Sequence, residues 1–148
     1  MRLPYLATLQ RWWDLWRTRL FPPQTLGQRG EAAAAKFLKR LGYHIAARSD
    51  RGRLGEIDIV AVDKRCVVFV EVKTRRSQDT GHPADAVDLN KQRRLTRLAL
   101  SYLKRHDLLE ISSRFDVVAI TWPDDKQPPK IEHFKNAFEA TGNGQMFS

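Results

Sequence analysis

The first apolar pattern along the chain has helical spacing. Between residues 4 and 21 the large apolar side chains recur on one arc of a helical wheel, with most polar residues elsewhere. The members of this stripe are Tyr5, Leu6, Leu9, Trp12, Trp13, Trp16 and Leu20. The pair Pro22-Pro23 ends the predicted helix, because proline cannot continue it. A stripe of this kind either packs on the rest of the chain or docks on a partner or a membrane surface.

Two more helices are predicted further along the chain. One runs from Thr25, a typical N-cap residue, to Leu41, and the glycine that follows ends it. Its predicted inward stripe consists of Gly27, Glu31, Ala34, Leu38 and Leu41. The other helix begins at Ala84 or Asp88 and continues to His106. Both patterns indicate helices that cover a core with one face.

Five short segments rich in β-branched and apolar residues predict strands. They span residues 43–49, 56–62, 66–74, 115–121 and 130–138, and a polar turn is predicted at 49–53. The strand–helix–strand unit over 66–121 requires a crossover connection, which places its two strands in parallel. The hairpin before it is antiparallel. The sequence therefore predicts an α/β domain over residues 24–140 with a mixed sheet flanked by helices. Residues 1–23 form an extra N-terminal helix and linker, and 141–148 a flexible tail.

The predicted hairpin brings three charged residues together. A symmetric turn pairs Val62 with Val67, and continuing that ladder puts Asp58 opposite Glu71. Lys73 points the same way, because side chains two residues apart in a strand share a face. Two carboxylates directly opposite each other on neighbouring strands repel each other unless a cation lies between them. A structural ion pair involving Lys73 is the alternative interpretation of this pattern.

The convergence of acid and lysine suits phosphodiester hydrolysis. Asp58 and Glu71 offer the hard oxygen ligands that Mg²⁺ or Mn²⁺ prefers, and Lys73 can orient water or offset charge on the phosphate. Glu31 lies on the predicted inward stripe of its helix, where a lone acid is costly, and it is expected at the same site as a further ligand. The alternative for Glu31 is a first-turn acid that the helix dipole favours.

Charge points to a polyanionic partner. The chain carries a formal net charge of +9, with 26 Lys plus Arg against 17 Asp plus Glu, and residues 36–105 hold 17 of the basic groups and 8 of the acidic ones. Such an excess is typical of nucleic-acid binding, although a solvated helix face gives the same pattern. The predicted contacts with nucleic acid are Arg75, Lys91, Gln92 and Arg94.

Other classes of site find no support in the sequence. The four histidines lack zinc-type spacing, and there is no P-loop, nucleophile elbow or glycine-rich dinucleotide motif. No apolar run approaches the ~20 residues of a membrane span. Cys66 is the single cysteine, which excludes an intrachain disulfide and favours a reducing, cytoplasmic location.

Asp58 and the tripeptide Glu71-Val72-Lys73, separated by twelve residues, resemble the PD-(D/E)xK nuclease superfamily. This superfamily includes archaeal Holliday-junction resolvases and restriction endonucleases. Ile57 stands where the superfamily pattern has proline, and the carboxylate that follows it carries the chemistry. Several longer blocks are similar to the YraN family of predicted endonucleases, over roughly residues 25–139. These blocks are Gly27 to Leu41, Gly55-Glu56-Ile57-Asp58, Val68 to Arg75, Lys91 and Arg114-Phe115-Asp116-Val117-Val118.

The resemblance implies a restriction-endonuclease-like three-layer fold and nucleic-acid binding. We expect a metal-dependent endonuclease that uses Mg²⁺ or Mn²⁺ and hydrolyses phosphodiester bonds of structured or branched DNA, with DNA preferred over RNA. Asp58, Glu71 and Glu31 would bind the metal, with the Val72 carbonyl as a further candidate ligand, and Lys73 would complete the catalytic set. The alternatives are a non-catalytic nucleic-acid-binding module on the same fold and an interaction protein that docks through the N-terminal helix. A homodimer is compatible with each of these.

Overall fold

Two helices lie on opposite faces of a five-stranded mixed sheet. The computed structural model describes residues 11, 14–15, 17, 22–77, 79, 81 and 87–142. The elements are α1 (Leu26–Arg40), β1 (His44–Gly52), β2 (Gly55–Asp63), β3 (Cys66–Arg76), α2 (Leu89–Arg105), β4 (Ser113–Trp122) and β5 (Lys130–Phe138). The strands lie in the sheet in chain order. The predicted α/β class is confirmed, and so is the mixed sheet flanked by helices.

Helix α1 begins at the predicted cap. The Thr25 hydroxyl accepts from the Gln28 backbone N–H, and the Gln28 side chain accepts from the Thr25 N–H, which forms a capping box. The predicted stripe is wrong at its two ends, because Gly27 and Leu41 are exposed. The buried face is centred instead on Gly30, Ala34, Ala35 and Leu38.

Close contact with β3 explains the shift of the buried face of α1. A Cβ atom on Gly30 would lie 1.8 Å from the Thr74 hydroxyl oxygen, so only glycine lets helix and strand approach this far. The helix is therefore seated on the sheet by its glycine and alanine side, and its neighbour Glu31 is carried to the rim of that contact, where it is partly buried.

The predicted polar turn at 49–53 is wrong. Strand β1 continues through Ser49 and Asp50 to Gly52, which pairs with Gly55 across a tight turn. Polar residues are tolerated here because β1 is an edge strand, with one face towards solvent. Ser49 takes a positive φ of 50°, a conformation that is uncommon for residues other than glycine.

The central hairpin has the predicted register. Strands β2 and β3 are antiparallel and Val62 pairs with Val67, with the ladder continuing to Ile59 opposite Val70. One step further the main-chain ladder stops, and the Val72 N–H donates to the Asp58 carboxylate at 2.7 Å instead. The parallel pairing of β3 with β4 is confirmed as well, and α2 makes the crossover between them.

The sheet separates two apolar cores. Phe69, Val60 and Val117 pack with α2 on one side, and Val68, Ile59 and Val118 pack with α1 on the other. Ile57 belongs to the α2 core, although simple alternation from Ile59 would put it under α1. The predicted division of β2 into two faces therefore fails around Asp58, which is near Glu31 of α1 on one side and Lys91 of α2 on the other.

The predicted N-terminal helix over residues 4–21 lies largely outside the described residues, as do residues 143–148 of the predicted tail. Across the parts of the chain that are described, neither helix has the length and apolarity needed to cross a membrane.

Candidate active site

Three carboxylates meet where the ladder between β2 and β3 ends. Asp58 and Glu56 come from β2, and Glu31 reaches them from α1, with one carboxylate oxygen of each lying within 4.8 Å of the others. The Ser49 hydroxyl on β1 donates to Glu31 at 3.2 Å, and Arg51 pairs with Glu56 at 3.2 Å. Carboxylate oxygens in such a group can hold a divalent cation.

Asp58 is the most perturbed member of this cluster. Its partial burial, and next the negative charge of Glu71, raise its pKa to about 7 from an ordinary value of 3.8. Glu31 contributes in the same direction, whereas the Val72 N–H and the Lys91 ammonium favour the charged carboxylate and oppose the rise. Burial and the neighbouring carboxylates thus both disfavour the charged form of Asp58, and a bound cation would favour that form.

Glu71 lies beside the cluster and is balanced by two lysines. Its carboxylate is buried and accepts from the Lys91 ammonium, with the Lys73 ammonium at 3.7 Å. Partial burial, together with the positive charge of Lys91, lowers the pKa of Lys73. The structure thus brings together all four residues that the sequence predicts as catalytic. The charge of Glu71 acts on Asp58, and Glu71 is also ion-paired with Lys91.

Glu56 is the member of this group that sequence reasoning missed as a ligand. It stands two residues before Asp58 in the same strand, so alternation alone could have pointed to it. Its position at the end of an exposed hairpin concealed the role, because a solvated acid paired with a nearby arginine is the ordinary interpretation. The approach of Glu31 from α1 is what gives Glu56 and Asp58 a third partner.

The four residues predicted to contact nucleic acid take different positions. Lys91 lies inside the site, on Glu71. The Arg75 guanidinium donates to the Thr121 hydroxyl at 3.3 Å and to the Gly81 carbonyl. The Gln92 amide donates to the Val87 carbonyl at 3.0 Å. Arg94 is exposed, and its side chain runs beside Gly55 at the turn between β1 and β2. Of the four, Arg94 is the exposed residue, and Gly55, which it lies beside, directly precedes Glu56.

A second polar cluster lies near the start of β4 and has a structural character. Asp116 is fully buried and accepts from Arg114 at 3.0 Å, from the Asn136 N–H at 2.9 Å and from the His133 ring, 2.8 Å away. Arg114 also donates to Asp63 on β2, which ties three strands together. Asp116 therefore serves as the buried acceptor of an ion pair with Arg114.

The fold and this site define an α/β protein whose mixed sheet ends in a group of carboxylates and lysines. The model of the uncharacterised protein family UPF0102 matches residues 30–120. The chain is 55% identical over 120 residues to the UPF0102 protein of Rhodopirellula baltica, which covers 79% of this chain and 72% of that protein. It is 52% identical over 116 residues to the UPF0102 protein of Geobacter sulfurreducens, and this alignment covers 77% of the chain and 88% of that protein. The UPF0102 protein of Chlorobium phaeobacteroides is 44% identical over 122 residues, and this alignment covers 80% of the chain and 97% of that protein.

The chain therefore belongs to the family UPF0102, and the resemblance to the YraN family is confirmed.

Proposed function

We propose that this protein is a metal-dependent endonuclease that hydrolyses phosphodiester bonds in DNA. The observation that carries the proposal is the convergence of Glu31, Glu56 and Asp58 at the end of a hairpin whose next residues supply Glu71 and Lys73. Hydrolysis of a phosphodiester requires positive charge that stabilises the anionic phosphate and a group that transfers a proton. Carboxylates that can hold a metal ion would provide the first, and Lys73 would provide the second.

The carboxylates fit Mg²⁺ or Mn²⁺. Glu31, Glu56 and Asp58 would hold the ion, because their oxygens already lie within 4.8 Å of one another and the pKa of Asp58 is raised by burial and by the charge of Glu71. Glu71 is the further ligand that the sequence predicts, and it would join by exchanging its contact with Lys91. When bound, the metal supplies Lewis acidity that acidifies water and offsets charge on the phosphate.

The lysines act on the substrate side of the site. Partial burial and the neighbouring Lys91 lower the pKa of Lys73, which increases the share of the neutral amine and suits a group that exchanges a proton with water. Glu71 holds the two ammonium groups at the edge of the carboxylate cluster. Lys73 thereby orients the attacking water, and Lys91 offsets charge on the phosphate.

Positive charge around the site supports DNA as the substrate. Arg94 lies over the β1–β2 turn that carries Glu56, and the chain as a whole has a formal net charge of +9. Binding would release counterions from the phosphates, so the affinity should fall steeply as salt rises. Branched or otherwise structured DNA is the preferred candidate, as the family resemblance implies.

A cleavage screen tests this proposal. The full chain is incubated with duplex, single-stranded and four-way-branched DNA in Mn²⁺, Mg²⁺ or EDTA, and the products are resolved on denaturing gels. Cleavage should require the metal and should disappear in Lys73→Ala, while Mn²⁺ still raises the melting temperature of that variant. Cleavage that persists in EDTA, or equal cleavage by Lys73→Ala, would show that this site does not perform the reaction.

One observation favours a second candidate, a non-catalytic nucleic-acid-binding module. Glu71 is ion-paired with Lys91, so the superfamily acid can be permanently neutralised by the protein itself. In that case the wild type binds DNA in a salt-dependent way, but Mn²⁺ neither stabilises the fold nor induces cleavage. The interaction-protein hypothesis depends on residues 1–23. Measuring DNA binding after these residues are deleted distinguishes it from the endonuclease and from the non-catalytic binding module.

A further inference from the structure

Two arginines outside the carboxylate site share a single acidic partner. Arg29 of α1 and Arg76 at the end of β3 both donate to Oδ1 of Asp125, at 2.9 Å and 3.3 Å. Asp125 belongs to the loop between β4 and β5. All three side chains retain contact with solvent, with relative exposures of 29%, 43% and 65%. One carboxylate oxygen thus bridges two guanidinium groups at the surface.

The arginines are placed by the fold and not by Asp125 alone. The Arg29 guanidinium lies over the Trp122 ring, 4.4 Å from its centroid, which fixes the plane of the charge. Arg29 is also near the N-terminus of α1, whose first turn holds no acidic residue, so the helix dipole adds to the positive potential. Arg76 is anchored by β3. The two cations would therefore remain adjacent if the carboxylate moved away.

Asp125 is presented by a loop with its own local structure. The neighbouring Asp124 accepts from the backbone N–H groups of Lys126 and Gln127, at 2.7 Å and 2.9 Å, which closes a tight turn. The hydrogen bonds from Arg29 and Arg76 hold the pKa of Asp125 below its ordinary value, so it is an anion at neutral pH. The loop therefore supplies a fixed negative charge to a pair of preformed cations.

We propose that Arg29 and Arg76 form a binding subsite for a backbone phosphate of nucleic acid, and that Asp125 occupies this subsite until a phosphate displaces it. A guanidinium fork matches a phosphate as well as it matches a carboxylate. A phosphodiester also carries one negative charge, as the carboxylate does, so the exchange conserves charge at the arginines. Exposed ion pairs contribute little to stability, which keeps the displacement inexpensive.

The position of the subsite relates it to the proposed cleavage site, and the inference rests on that proposed function. Arg76 follows Lys73 by three residues of β3, about 10 Å along the strand, and points to the opposite face of the sheet. Arg29 precedes Glu31 by two residues of helix, about 3 Å along the axis. The subsite would therefore contact a phosphate other than the one that is cut.

Equilibrium binding tests the subsite without depending on cleavage. Labelled duplex and branched DNA are titrated with the full chain in EDTA across a salt series, and binding is followed by fluorescence anisotropy. Asp125→Asn should bind about three- to tenfold more tightly at low salt, because the arginines no longer have an internal competitor. Glu110→Gln is the matched control, since it removes one exposed negative charge at the opposite end of the sheet.

A combined variant distinguishes occupation of the subsite from a general change in charge. Arg29→Gln/Arg76→Gln should bind more weakly than the wild type, and adding Asp125→Asn to that background should produce no further gain. Equal gains in Asp125→Asn and Glu110→Gln, or an undiminished gain in the arginine-free background, would overturn the subsite while leaving DNA binding intact. If neither the wild type nor Asp125→Asn binds DNA at low salt, the subsite and the proposed function are both refuted.

Discussion

Replacing Asp58 with asparagine should stabilise the metal-free protein at alkaline pH. The folded protein holds the pKa of Asp58 at about 7, against an ordinary value of 3.8, because burial and the charge of Glu71 disfavour the ionised carboxylate. A group with a raised pKa binds its proton more tightly in the fold than in the unfolded chain. Its contribution to stability is therefore fully present below about pH 4, declines as the pH rises, and is lost above about pH 7.

The magnitude follows from that interval. The pKa of Asp58 rises from 3.8 to about 7, and each pKa unit corresponds to about 1.4 kcal/mol. Ionising Asp58 in the folded protein therefore costs about 4 kcal/mol more than in the unfolded chain. Asp58 is partly exposed, so solvent screening reduces this to about 2 kcal/mol. The amide introduced by Asp58→Asn would carry no charge, and its carbonyl would still accept from the Val72 N–H. The variant should gain about 2 kcal/mol at pH 8 and almost nothing at pH 4.

Urea unfolding in EDTA, followed by circular dichroism at several pH values, measures the effect. Mg²⁺ or Mn²⁺ should raise the melting temperature of the wild type at pH 8, because the ion binds the folded site and relieves the same repulsion. The response should be much smaller in Asp58→Asn. A variant that is no more stable than the wild type at pH 8, or that gains equally at pH 4, would refute this account of the carboxylate cluster.

Other perturbations probe the surroundings of the site. Gly30→Ala should cost about 3 kcal/mol in urea unfolding, because the new Cβ would overlap Thr74 at 1.8 Å. Gly27→Ala should be neutral or stabilising, because its Cβ would make only an ordinary contact with the Thr25 hydroxyl at 3.9 Å, and equal effects of the two variants would contradict the close contact. Asp116→Asn should destabilise by about 3–5 kcal/mol, since a fully buried partner of Arg114 loses its charge, and a loss below about 1 kcal/mol would contradict its structural role. Burial alone would raise the pKa of Asp116, but its hydrogen bonds with His133 and Arg114 outweigh burial and lower the pKa below its ordinary value. The contribution of Asp116 to the free energy of unfolding should therefore diminish as the pH falls and the carboxylate is protonated. Lys91→Met should lower the melting temperature at pH 8, because Glu71 would keep only the more distant Lys73; an unchanged melting temperature would show that this pair contributes nothing.

The sequence predicts the β2–β3 hairpin well because its register follows from local alternation. Pairing Val62 with Val67 fixes every later pair up to Ile59 opposite Val70, and the strand–helix–strand handedness fixes the parallel neighbour. The predicted meeting of Asp58 with Glu71 depends on this one register. One step beyond the last main-chain pair, the Asp58 carboxylate accepts from the N–H of Val72, the residue that follows Glu71.

The missed features depend on contacts between distant segments. The polar turn at 49–53 is strand because β2 offers a pairing edge that the composition of β1 does not reveal. Glu56 becomes part of a metal-competent cluster only when α1 delivers Glu31. Lys91, predicted as a phosphate contact, also pairs with Glu71. The sequence does not reveal this pair because the two residues are 20 positions apart along the chain.

The order of the strands has a consequence for how the site assembles during synthesis. Strands β1, β2 and β3 are joined by tight turns, so their pairing needs only local chain closure, whereas β4 must wait for the whole of α2. The acidic residues of β2 and β3 are therefore expected to meet before Lys91 arrives from α2. A nascent chain at that stage holds its carboxylates together with one lysine fewer, so their mutual repulsion is least compensated before α2 packs on the sheet.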